Sequence, residues 1–149
     1  MSQRPGEAFY VGGSGSYPER FRQGWDWLIE TVEASESRTA YLVISKMSQL
    51  TEVVSDVIGE ANAKVLSKGR PVQLPNGTQL LAYSDRTLDR SIRGPVLMVY
   101  CPPETMTQVD LAARGQPRAL IPLLEKEGRQ WIDNNQARRI GEESDEVAK

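Results

Sequence analysis

Two stretches of this chain, Thr39-Ala40-Tyr41-Leu42-Val43-Ile44-Ser45 and Pro95-Val96-Leu97-Met98-Val99-Tyr100-Cys101, are almost continuously apolar and rich in residues that favour extended backbone. Neither run alternates with polar residues, so neither leaves a side for water. They predict strands buried on both faces, and such strands occur in mainly parallel sheets covered by helices above and below.

Around these runs the apolar period changes to three and four. Phe21, Trp25, Leu28, Ile29 and Val32 form one stripe, with Pro18 suited to a first turn, and predict a helix over 18–34. Trp25 lies on that stripe, whereas Trp27, about 200° around the axis, is expected to be more exposed. Leu50, Val53, Val54, Val57, Ile58, Ala61, Val65 and Leu66 predict a second helix over 48–68, with Ser48 as its cap and Gly69 just beyond its end. Pro103 opens a short helix to Leu111, closed by Gly115-Gln116-Pro117. A brief strand at Ala119–Pro122 then precedes a helix from Leu123 to Ala137 with Trp131 on its inner side. Asn76-Gly77, between Val72–Leu74 and Thr78–Ser84, predicts a hairpin.

Strands alternating with helices in this way predict an α/β fold: a three-layer Rossmann-like domain, its sheet mainly parallel with an antiparallel hairpin at the edge. The expected organisation is one α/β domain over 18–140. Residues 1–17, with the connector-like Gly12-Gly13-Ser14-Gly15-Ser16, form a flexible N-terminal segment, and 141–149 a disordered acidic tail.

The residue inventory restricts the chemistry. Among 149 residues there is no histidine and one cysteine, Cys101, which excludes an intrachain disulfide, a Cys/His zinc site and every mechanism that needs an imidazole base. The Gly-rich connector lacks a lysine in phosphate-loop spacing. No cofactor or metal is expected, and no reaction follows from any motif. No apolar run reaches membrane-spanning length and the N-terminus lacks the apolar stretch of a secretory signal, so a cytoplasmic protein without membrane contact is expected. Lys64, Lys68, Arg70, Arg86, Arg90 and Arg93 make 61–103 the one basic zone, but the net charge of −2 argues against nucleic acid as a partner.

Ligands of open parallel sheets bind outside the carboxyl ends of the strands, near helix N-termini. Ser45–Ser48, Ser84–Thr87 and Cys101–Thr105 are expected to meet at one such rim. Lys46 and Arg86 are the candidates to hold an anion there, Asp85 and Glu104 the candidate bases, and Ser48 and Thr105 the candidate hydrogen-bond donors. Arg90 and Arg93, in the basic loop, are the fallback anion contacts. Two functional expectations result. One is a non-catalytic interaction module for another protein, marked by an exposed apolar patch on the first or last helix. The alternative is an enzyme or sensor for a phosphorylated small molecule or nucleic-acid end bound at the rim.

Overall fold

The computed structural model describes residues 7–12, 17–45, 49–84, 86–88, 92–122 and 125–140. Along the chain run β1 (Ala8–Tyr10), α1 (Tyr17–Ala34), β2 (Thr39–Ile44), α2 (Leu50–Ile58), α3 (Glu60–Ser67), β3 (Val72–Gln73), β4 (Gln79–Tyr83), β5 (Val96–Val99), α4 (Pro103–Ala112), β6 (Arg118–Ile121), α5 (Glu125–Asn135) and β7 (Arg138–Arg139). The strands form one sheet in the order β3-β4-β2-β5-β6-β1-β7. All neighbours are parallel except β3 and β4 at the edge. This is the expected three-layer, Rossmann-like α/β architecture.

Strand alternation divides the apolar side chains between two cores. On the first face Leu42 and Ile44 of β2, Leu97 and Val99 of β5, and Ile121 of β6 pack beneath α1, α2 and α3 through Phe21, Leu28, Val32, Leu50, Val54 and Leu66. On the second face Val43, Val96, Met98 and Leu120 pack beneath α4 and α5 through Met106, Val109 and Trp131. Leu88 and Ile92, from the connection between β4 and β5, cover the same face, so that crossover passes over β2 on the side away from α2. No helix among the described residues is long and apolar enough to cross a membrane.

Four features depart from the sequence reading. The segment 1–17 contains a strand: Ala8–Tyr10 pairs with β6 on one side and β7 on the other. Residues 1–6 and 13–16 of that segment, and the tail 141–149, lie outside the described residues. Trp27 is buried rather than exposed, because Phe9 of β1 covers it at a ring separation of 5.5 Å. The helix predicted over 48–68 is broken at Gly59, whose φ of +86° no helical residue adopts. The break also turns the buried side, so that Ala63 and Leu66 face inward while Ala61 and Val65 are exposed. Finally, the patch expected on the first or last helix is not seen among the described residues. Among the described residues the exposed large apolar side chains are Val65 and Leu111, on α3 and α4.

The hairpin forms as expected. The Gly77 amide donates to the Leu74 carbonyl at 2.9 Å and the Leu74 amide to the Thr78 carbonyl at 2.8 Å. Asn76 Oδ1 accepts from the Thr78 amide at 2.9 Å, and Gly77 has φ of +89°. A branched side chain is strained in that conformation, so Gly77→Val should lower the unfolding free energy by about 1–3 kcal/mol. Urea denaturation measures it, and an unchanged midpoint would show that the turn relaxes at no cost.

Candidate functional site

Connections leave the sheet on opposite faces at β2 and β5. After β2 the chain enters α2 on the first face, and after β5 it enters α4 on the second. The two strands are parallel neighbours, with Val43 opposite Met98 and Ile44 opposite Val99. Their carboxyl ends therefore border a topological switch point, the place in an open α/β sheet where a crevice forms. β4 flanks β2 on the other side, with Val43 opposite Tyr83. The ends of β4, β2 and β5 thus reach one rim.

At this switch point lies a cleft of about 660 Å³, within the size range of ligand sites. Pro18, Phe21 and Arg22 of α1 form one wall and Glu52, Val53, Asp56 and Val57 of α2 the other, with Gln49 just before α2. Ser45 and Tyr100, each following its strand, close the floor. Phe21 is buried, Val53, Val57 and Tyr100 are half-buried, and Arg22, Glu52 and Asp56 are exposed.

Tyr100 explains why the floor is aromatic. Alternation along β5 puts Met98 on the second face and Val99 on the first, so the next side chain in regular strand geometry would return to the second. Tyr100 instead packs against the first-face core. Its backbone has φ of +55°, left-handed and strained for an aromatic residue, and the amide is held by the Ile121 carbonyl at 2.9 Å. That twist moves the ring to the side of α1 and α2. Cys101 resumes the second face, 2% exposed, its thiol donating to the Val43 carbonyl at 3.3 Å. The thiol thus ties the end of β5 to β2.

Among the described residues, charge at the cleft comes from three side chains. Glu52 and Asp56 stand four residues apart on α2, and among the described residues neither has an ion-pair partner. Arg22 lies 3.7 Å from Asp26 on its own helix, so its charge is already partly offset.

The side chains singled out in the sequence as site candidates fall into two groups. Lys46, Ser48, Asp85 and Arg90 lie outside the described residues. Arg86 is exposed, its amide donating to Ser84 Oγ at 3.2 Å in the turn after β4. Glu104 is exposed in the first turn of α4, and Thr105 is buried at 1% exposure with its amide on the Pro102 carbonyl. Arg93 is exposed near the start of β5, its amide donating to Tyr41 Oη at 3.4 Å. None of these four lines the cleft. The cleft borders the strand ends expected from the sequence, and Phe21, Val53 and Val57, which apolar spacing assigns to the core, both pack in the first-face core and line the cleft, since spacing does not distinguish a filled interface from an open one.

A different crevice, between the ends of β1 and β6, is filled. Arg20 of α1, 6% exposed, donates through Nε to the Gly12 carbonyl at 3.2 Å and through Nη2 to the Pro122 carbonyl. Its guanidinium satisfies the carbonyls that end these two strands. Compared with protein-family models, curated proteins and solved structures, the chain matches none.

Proposed function

We propose that this domain is a non-catalytic interaction module that receives a short segment of a partner protein in the cleft between α1 and α2. The observation that carries this reading is the lining itself, an aromatic and aliphatic interior left open at the switch point beneath a polar rim. Such a surface is built for an apolar anchor. The strained Tyr100 supports it, since backbone strain that the surrounding structure maintains clusters at binding and catalytic sites. Chemistry is less well served. Ser45 is the one aliphatic hydroxyl among the described lining residues, and a chain without histidine has no imidazole to activate it. A phosphorylated ligand at the same strand ends also fits less well, because among the described lining residues two carboxylates, Glu52 and Asp56, would face it against one cation, Arg22, whose charge Asp26 partly offsets.

Selection from a displayed random-peptide library tests the proposal. Enriched peptides should lose binding to Val57→Trp, which fills the cleft, and to Tyr100→Ala, which removes its aromatic floor. They should bind Leu111→Ser normally, since Leu111 is 64% exposed on α4, away from the cleft. Circular dichroism verifies that each variant is folded. No enrichment on folded protein, or binding indifferent to both cleft substitutions, would overturn it.

A further inference from the structure

The rim of the cleft carries information about what enters it. On α2, Val53 and Val57 line the interior while Glu52 and Asp56 line the edge beside them. Each pair is spaced i, i+4, so the helix presents an apolar row and an acidic row side by side, each one turn long. The acidic row is exposed and unpaired among the described residues. Across the cleft Arg22 sits 3.7 Å from Asp26, so that among the described residues the carboxylates of α2 are the charges at the mouth without an ion-pair partner. Carboxylates one turn apart match cations one turn apart, which is the spacing at which a second helix displays its own side chains on one face.

Resting on the interaction-module reading above, we infer that the partner segment is a basic amphipathic helix. Its apolar face enters between Phe21, Val53, Val57 and Tyr100, and Lys or Arg residues one turn apart along its edge meet Glu52 and Asp56. The apolar contact holds the segment in place. The charges select its sign and orientation and accelerate encounter.

Two synthetic helical peptides of about eighteen residues test this, long enough to be appreciably helical alone. They share one Leu/Trp face and differ in carrying Lys or Glu along its edges. Fluorescence anisotropy at low salt should show the Lys peptide binding about tenfold more tightly than the Glu peptide, a difference that shrinks as ionic strength rises. The double variant Glu52→Gln/Asp56→Asn should remove the preference, and Glu52→Lys/Asp56→Lys should reverse it. Val57→Trp should abolish binding of both peptides, which separates docking in the cleft from diffuse attraction to a chain of net charge −2. Equal affinity for the two peptides, lost in Val57→Trp, would overturn the basic-partner inference and leave the cleft reading standing. Binding that Val57→Trp does not change, or none to either peptide, would overturn both.

Discussion

Replacing Trp131 by Ala should lower the unfolding free energy by about 3–5 kcal/mol, a large part of what a domain of this size possesses. Trp131 is 6% exposed and fills the second-face core between α5 and α4. Its indole Nε1 donates to Asp110 at 3.1 Å, and Asp110 also receives the guanidinium of Arg118. Arg118, itself 6% exposed, lies 5.7 Å from the Trp131 ring centre. Removing the indole therefore opens a cavity and strips a partly buried ion pair of both a hydrogen-bond donor and its cover. Arg118 Nε already lacks a hydrogen-bond partner among the described residues. Trp131→Phe, which retains most of the ring but not the donor, should cost about 1–2 kcal/mol. Urea or guanidinium unfolding of both variants measures the effect. A loss below about 1 kcal/mol for the alanine would show that the second-face core does not depend on this side chain.

Gly94→Ala should cost about 3 kcal/mol, at the upper end for over-packing, although it adds only a methyl group. A Cβ at Gly94 would collide with the Thr39 carbonyl oxygen and lie 2.8 Å from Ser37 Oγ. The first obstacle is backbone, so no rotamer change relieves it. Thr39 begins β2, and two residues on the Tyr41 amide donates to the Pro95 carbonyl at 3.0 Å, fixing β2 against β5. Ser37 Oγ meanwhile lies 3.0 Å from the Arg93 carbonyl and 3.1 Å from that of Thr39, drawing the same two segments together. The variant must spread the starts of the two central strands. A thermal midpoint unchanged from the parent would show that this contact gives way without cost.

The elements legible in the sequence are those whose own residues decide them. β2 and β5 announce themselves as uninterrupted apolar runs, and α1 and α4 appear within a residue of the expected bounds because stripe and proline agree. What was not legible depends on distant partners. β1 has three residues and β7 two, and their strand character comes from the pairing of Phe9 with Ala119 and Arg138. Trp27 followed from the same omission: at the margin of the helical stripe, its burial is set by whether Phe9 lies over it. At Gly59 the apolar period continues across the break, so the glycine itself was the one sign of a turn between helices. For the site, parallel topology located the rim. The left-handed twist at Tyr100 and the opening between α1 and α2 are properties of packing, and no motif encodes them.

The position of β1 also bears on how the molecule is assembled during synthesis. Its partners are residues 118–120 and 138–139, at the other end of the sequence, so β1 leaves the ribosome long before they exist. At translation rates of about 5–20 residues per second the wait is on the order of ten seconds. The β4-β2-β5 half of the sheet has all its strands in the meantime, and pairing of such distant segments is the slow part of folding. Phe9, and the Trp27 ring it covers, remain uncovered until the last strands are made. Chaperones or proteases acting on the nascent chain would therefore meet this aromatic pair, and point changes that weaken β6 or β7 should reduce yield in cells more than they reduce the stability of the finished fold.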